Sequence, residues 1–287
     1  MIDPTAPTIP EVTHHHLAIE NAELHYVSAG AAGSPILLVH GFPETWWAFH
    51  KLIPLLARNH RVLAVDLPGF GASGLGDGDL SSPVAAASLH DLIAHLGLGP
   101  VHLVTQDIGG GAAFRLATSH PEDVASFTAV EMGLAGFGLE GLADITHGGS
   151  WHIGVLAAPA IPELLLAGRE RDFIAWMFRT MTALPGAVTD ADIDEFARTY
   201  ARPHGWRGAS GLYRSMLAEG AEFQAIAQRS GLTMPGLAIG AGGGDFTRAT
   251  LAAVASDLKS VQLEGVGHYA SLEAPDRVAA AILDFID

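Results

Sequence analysis

The chain contains no cysteine, and only two of its 287 residues, Lys51 and Lys259, are lysine. Without cysteine there can be no disulfide and no thiolate-bound metal. Basic residues are scarce altogether: 15 Lys and Arg face 31 Asp and Glu, for a formal net charge of −16. Such a surface repels nucleic acid and anionic lipid, which excludes both as partners and leaves solubility as the plain role of the charge. No uninterrupted apolar stretch is long enough to span a bilayer. The first residues, Met1-Ile2-Asp3-Pro4-Thr5-Ala6-Pro7, lack the basic segment and apolar run of a signal peptide, so a cytoplasmic protein is expected.

What the chain does have is a large apolar fraction, 49%, which argues against disorder. Its length fits one large α/β domain, or a core carrying an inserted subdomain. Short strands are predicted at His14–Ala18 and Glu23–Val27, turning at Glu20-Asn21-Ala22. The triple histidine His14-His15-His16 has nothing nearby in sequence to complete a metal site. Pro35–His40 reads as an apolar strand of the parallel-sheet type. Trp46–Arg58 reads as a helix and Arg61–Asp66 as the next strand. Ser82, as cap, and Pro83 start a helix. Its Leu89, Leu92, Ile93 and Leu96 share one face, and Gly97 ends it.

A strand from Val101 then leads into a further helix, and Ala125–Glu131 is another strand. This alternation predicts a mostly parallel, doubly wound α/β sheet. From 134 to 227 helical segments occur without strands. Strand and helix return at Met234–Ile239, Phe246–Leu258, Ser260–Leu263 and Pro275–Ile286. The expected organisation is a core of residues 1–133 and 228–287, with a helical cap, or lid, over 134–227. The run Gly240-Ala241-Gly242-Gly243-Gly244 lacks the Gly-Lys-Ser/Thr ending of a nucleotide loop and reads as a loop leaving a strand. Nothing in the pattern calls for a cofactor or a metal.

The most informative segment is Val101-His102-Leu103-Val104-Thr105-Gln106-Asp107-Ile108-Gly109-Gly110-Gly111. A buried strand, a sharp turn and a helix start follow one another, in the layout of the nucleophile elbow of α/β-hydrolases. A serine usually stands where this chain has Asp107. A carboxylate is already ionised at neutral pH and attacks without a base. Displacing a leaving group from saturated carbon gives it an ester, which water can then cleave. A serine would give an ether, which water cannot easily remove. The position therefore points to opening of epoxides or removal of halide, and away from ordinary ester cleavage.

Three further parts belong with such a nucleophile. His268, in Gly265-Val266-Gly267-His268-Tyr269, lies between the last strand and the last helix, where the order nucleophile, acid, histidine would put the base. It would take a proton from water attacking the ester. His40-Gly41-Phe42-Pro43 follows an early strand. The backbone N–H of Phe42, with that of Ile108, would form the oxyanion hole, and Phe42-Pro43 is a candidate cis peptide. Two acids compete to orient His268: Glu131, at the end of the strand after the elbow helix, and Asp245, after the next strand. The residues themselves leave that choice open. An epoxide would also need hydrogen-bond donors in the lid, and Tyr213 and His152 can both donate.

Taken together, these residues resemble the α/β-hydrolase epoxide hydrolases over nearly the whole length. His40-Gly41-Phe42-Pro43-Glu44-Thr45-Trp46 is similar to their oxyanion motif, Thr105-Gln106-Asp107-Ile108-Gly109-Gly110 to their elbow, Gly267-His268 to their base and Tyr213-Arg214 to their ring-opening pair. Trp151-His152, Val130-Glu131-Met132 and Ala201-Arg202-Pro203-His204 resemble the bacterial Cif-type subgroup, which pairs a lid histidine with a tyrosine and uses a glutamate to orient the base. The resemblance implies Glu131 rather than Asp245 as the acid. It also implies His152 and Tyr213 as the ring-opening pair, and an epoxide and water as the small-molecule partners. A homodimer is compatible with it. Two positions depart from the family: Thr105 stands where glycine or alanine is usual, and Gln106 where histidine is usual. Cif-type members are typically exported, which the N-terminus here does not suggest.

Two rival readings use the same fold. Haloalkane dehalogenases carry tryptophan after the nucleophile and a polar residue after His-Gly, where this chain has Ile108 and Phe42. Fluoroacetate dehalogenases place arginines just after the nucleophile, where this chain has Ile108-Gly109-Gly110-Gly111, and a tryptophan where it has Ile153. A ligand-binding protein on a retired hydrolase fold would be expected to have lost its nucleophile or base, and neither is missing.

Overall fold

A computed structural model describes residues 7–19, 22–76 and 78–287. The expected turn at Glu20 and Asn21, and the first six residues of the N-terminal reading, lie outside them. Eight strands form one sheet: β1 (Thr13–Ile19), β2 (Ala22–Ala29), β3 (Pro35–Val39), β4 (Arg61–Val65), β5 (Val101–Gln106), β6 (Val124–Val130), β7 (Gly236–Gly240) and β8 (Leu258–Gln262). The spatial order is β1-β2-β4-β3-β5-β6-β7-β8. β2 pairs antiparallel with β1 and β4, and all other neighbours run parallel. Ile36–Val39 of β3 and Leu103–Val104 of β5 are buried on both faces, as parallel strands covered by helices on both sides must be.

The helices are α1 (Ile53–Leu56), α2 (Ser82–His95), α3 (Gly109–Ser119), α4 (Trp151–Ala157), α5 (Ile161–Leu166), α6 (Glu170–Met181), α7 (Asp190–Ala201), α8 (Arg207–Ala218), α9 (Gly220–Arg229), α10 (Phe246–Ala252), α11 (Ala270–Glu273) and α12 (Pro275–Ile286). Between β6 and β7 the described chain forms helices and no named strand, ending with α9 at Arg229. Among the described residues no helix is long and apolar enough to cross a membrane.

Three expected helices differ in detail. Trp46–Arg58 is not continuous: it splits into a 3-10 turn, Trp46–Phe49, and the single turn of α1. Pro54 has no N–H to donate to the preceding turn, so one helix cannot run through it. The helix expected to run from Phe246 to Leu258 stops at Ala252, and Leu258 already begins β8. Finally, the N-cap of α2 is Ser81, not Ser82. The Ser82 hydroxyl instead donates to Glu219 at 2.9 Å, tying α2 to the residue between α8 and α9.

Candidate active site

β5 ends and α3 begins with two residues between them, and that tightness shapes the Asp107 position. Asp107 has φ +50°, a left-handed conformation that costs energy for a residue with a Cβ. The turn survives because its surroundings are small. A Cβ at Gly41 would lie 2.5 Å from the Asp107 Cβ, and one at Gly109 would lie 2.1 Å from the His40 carbonyl oxygen. Thr105, larger than the usual residue, is fully buried, and its Oγ1 has no hydrogen-bond partner among the described residues.

The strained turn aims the Asp107 carboxylate at two backbone donors. Phe42 N–H donates to Oδ2 at 2.8 Å, and the Ile108 N–H bonds the same carboxylate. The Phe42-Pro43 peptide is cis. Oδ1 faces the other way, 3.4 Å from His268 Nε2. Burial alone would raise the Asp107 pKa. The His268 bond and charge, with the Ile108 and Phe42 N–H groups, outweigh it and hold the carboxyl below its ordinary range.

His268 is held from behind. Its Nδ1 donates to Glu131 Oε2 at 3.2 Å. Glu131 also has a left-handed backbone, φ +46°, which turns its side chain from the end of β6 toward the histidine. Its carboxylate accepts from the backbone N–H of Ala241 and, at 2.8 Å, from that of Gly243. The glycine-rich stretch after β7 is thus more than a connecting loop. A Cβ at Gly243 would come within 3.2 Å of Glu131 Oε2, and one at Gly242 within 3.0 Å of the His268 nitrogen. Asp245 is not part of this group. It is exposed and forms an ion pair with Arg248, because α10 begins beside it and carries its side chain away. Burial would lower the His268 pKa, but its bonds to Asp107 and Glu131, and their charges, raise it to about 10.

The opposite wall comes from the helical insertion. Tyr213, on α8, and His152, on α4, are both buried, with ring centroids 5.9 Å apart and almost perpendicular planes. The Phe42 ring packs on both of them. Burial, followed by the nearby Asp107 charge, raises the Tyr213 hydroxyl well above its usual value, so it keeps its proton. Burial pulls His152 down to about 4, against the opposing pull of Asp107. At neutral pH His152 is therefore an uncharged imidazole able to donate one hydrogen bond. Asp107, Ile108, Glu131, His152, Tyr213 and His268 line one cavity of about 360 Å³. The remainder of its wall is largely apolar, with Leu139, Met181 and Phe246 among it, and among the described residues it includes no lysine, arginine or tryptophan.

Behind the elbow is a buried polar chain whose role the sequence did not disclose. Ser271 Oγ donates to Gln106 Oε1 at 2.7 Å, and Gln106 Nε2 donates to Glu44 Oε1 at 2.6 Å. Gly41 N–H donates weakly to Glu44 Oε2. Glu44 is fully buried. Burial, and then the Asp107 charge, push its pKa up to about 8. The signal was in the sequence, since glutamine replaces the usual histidine at 106. Its partners lie 62 and 165 residues away.

Comparison with known proteins places this geometry among relatives. The alpha/beta hydrolase fold family matches residues 34–145. A soluble epoxide hydrolase from Corynebacterium sp. (strain C12) is 30% identical over 289 residues, covering 96% of this chain and 97% of that protein. A fluoroacetate dehalogenase from Burkholderia sp. is 27% identical over 193 residues, covering 65% of this chain and 64% of that protein. Among solved structures, the Cif epoxide hydrolase from Acinetobacter nosocomialis superposes with a TM-score of 0.89 at 24% identity, over 98% of this chain and 91% of that one.

Proposed function

Because the chain belongs to the epoxide hydrolases of the α/β-hydrolase fold, we propose that it hydrolyses an epoxide to a vicinal diol through a covalent ester on Asp107. The observation that carries the reading is the division of the Asp107 carboxylate. Phe42 N–H donates to Oδ2 and Ile108 N–H bonds the same carboxylate, while Oδ1 faces His268 in a cavity whose lining includes Tyr213 and His152. We further propose residues 134–227 as the cap and 1–133 with 228–287 as the core.

In the first step Oδ1 attacks an epoxide carbon, and the C–O bond to the ring oxygen breaks. The leaving oxygen takes a proton from the Tyr213 hydroxyl and a hydrogen bond from His152. An alkoxide is basic, so strong donors at the leaving oxygen lower the barrier. Esterification removes the Asp107 charge that holds the His268 proton. That proton passes to the Tyr213 oxygen, and His268 becomes a neutral base. His268 then takes a proton from water, and hydroxide adds to the ester carbon. The oxyanion on Oδ2 sits in the Phe42 and Ile108 N–H groups, and Glu131 steadies the imidazolium. Collapse breaks the bond to Oδ1, the carboxyl proton goes to the departing oxygen, and the diol leaves. Asp107 is again a carboxylate and His268 again protonated.

The dehalogenase relative favours a second reading, release of halide from a haloacid. Such a substrate brings a carboxylate into a cavity that already holds Asp107 and Glu131 and whose lining has no lysine or arginine. The cavity suits a neutral, mainly apolar molecule instead. Turnover of an epoxide panel beside fluoroacetate and chloroacetate decides between the two. Diol formation without halide release is expected, and Tyr213→Phe should slow ester formation by about 10²-fold or more. Halide release with the whole epoxide panel untouched would replace this reading with the second.

A further inference from the structure

Away from the cavity, three groups able to bind a metal meet where three elements end. His90 comes from α2, His120 from the C-cap of α3 and Asp123 from the 3-10 turn Pro121–Asp123 that leads into β6. Their ligand atoms all lie within 4.8 Å of one another. His90 Nδ1 is 2.6 Å from Asp123 Oδ2. The two imidazole rings stack with centroids 3.7 Å apart and planes 14° from parallel. Glu122 Oε1 stands 3.6 Å from His120 Nδ1.

We propose that His90, His120 and Asp123 bind one divalent ion of the zinc class. Two imidazole nitrogens and a carboxylate oxygen form a ligand set for zinc or its first-row neighbours, with water completing the shell. Magnesium and calcium prefer oxygen ligands alone. The backbone under the ligands is fixed. His120 N–H donates to the Leu116 carbonyl at 2.8 Å, and Asp123 N–H to that of His120 at 3.0 Å. Only side chains need to move. In the stacked arrangement the in-plane lone pairs run side by side, so one ring must tilt to share an ion with the other. There is room for this, since the His90 and His120 side chains are 33% and 37% exposed. The ion would replace the proton between His90 and Asp123. It would also join α2, the end of α3 and the start of β6, and so would bind the folded chain in preference to the unfolded one. The site shares no residue with the cavity at Asp107.

The test is calorimetric titration of the full chain with zinc chloride, repeated on His90→Gln, His120→Gln, Asp123→Asn and the double histidine variant. One saturable site is expected, weakened at least about tenfold by each single change and abolished by the double one. Zinc should raise the melting temperature of the unaltered protein but not of the double variant. A tenfold excess of magnesium should not displace the zinc. Should the variants misfold, cobalt broadening of the His90 and His120 imidazole NMR signals in the unaltered protein answers the same question. The proposal is overturned if the double variant binds zinc as before, which would assign binding to histidines elsewhere such as His14–His16. It is overturned equally if magnesium competes on even terms, leaving only diffuse attraction to an acidic surface, or if cobalt leaves both imidazole signals sharp.

Discussion

Asp107 and His268 rest as an ion pair, and their proposed work requires that pair to be broken and remade once per turnover. Forming the ester needs the aspartate but not the base. His268→Gln should therefore form the ester and stall. Intact-mass spectrometry under saturating epoxide should show one added substrate mass, and absence of any adduct would contradict the division of labour. Glu131 holds the Nδ1 proton of His268, whereas Asp245 points to solvent against Arg248. Glu131→Gln should slow hydrolysis of the ester by about 10²-fold or more, while Asp245→Asn should change it little. Single-turnover rates measure both. The positions proposed here for nucleophile, base and oxyanion donors could be picked out in the sequence because a sharp turn and a glycine-bracketed loop constrain residue types locally. The choice between the two acids was not legible from the residues. The proposal of Glu131 rests on its left-handed backbone and on the amides of Ala241 and Gly243, both set by how β6 and β7 lie side by side. Thr105 departs from the residue usual at its position, and its buried hydroxyl has no hydrogen-bond partner among the described residues.

Among elements, the contact between the His268 loop and the helical insertion bears most on the site. Met181, which ends α6 and lines the cavity, accepts a hydrogen bond from the His268 N–H at 2.8 Å. Glu273, at the end of α11, fastens the same junction. Its Oε2 accepts from the backbone N–H groups of Ala183 at 2.8 Å, Leu184 at 2.9 Å and Gly267 at 3.1 Å. One buried carboxylate thus joins the end of the α6 segment to the loop carrying His268. Hydrogen bonds to a charged acceptor contribute about 1.5–3 kcal/mol each, and their loss leaves three N–H groups unsatisfied. Glu273→Ala should lower the melting temperature and slow ester hydrolysis more than ester formation, because the proposed mechanism uses His268 as a base only in the former. Equal slowing of both steps would reduce Glu273 to a purely structural role. Pattern reading found every named strand and the ends of α2 and α12. It missed the break at Pro54 and the early stop at Ala252, where a proline and the start of β8 override local helical preference. It could not find the Glu273 junction, since hydrogen bonds between distant backbone groups leave no periodic trace.

For the whole molecule, the buried charges make stability depend on pH in a definite direction. Glu44 titrates near 8 in the folded chain against an ordinary 4.5. Between those values the folded state holds a proton that the unfolded chain has released, so raising the pH favours unfolding. Its contribution is complete below about pH 4.5 and is lost as pH rises through about 8. His268, near 10 against 6.5, has the same sign over a higher window, full below about 6.5 and lost as pH rises through about 10. Asp66 runs the other way. Burial opposes its charge, but His25, His40 and the Trp46 N–H outweigh it and lower it to about 2 from 3.8. Its contribution is present above about 3.8 and is lost as pH falls through about 2. The urea midpoint should therefore fall between pH 5 and pH 9 and fall again below pH 3. Net charge of −16 pushes the alkaline limb the same way through mutual repulsion. Salt separates the two causes, because it screens exposed charges strongly and buried ones weakly. Glu44→Gln keeps the size of the protonated acid but cannot ionise. In 1 M sodium chloride it should flatten the slope between pH 5 and 8 while leaving the limb above pH 8 in place. His268→Gln should do the reverse, flattening the alkaline limb more than the lower one. If both variants kept the full slope in high salt, the dependence would belong to some other group, and the buried Glu44 would carry no proton that the unfolded chain lacks.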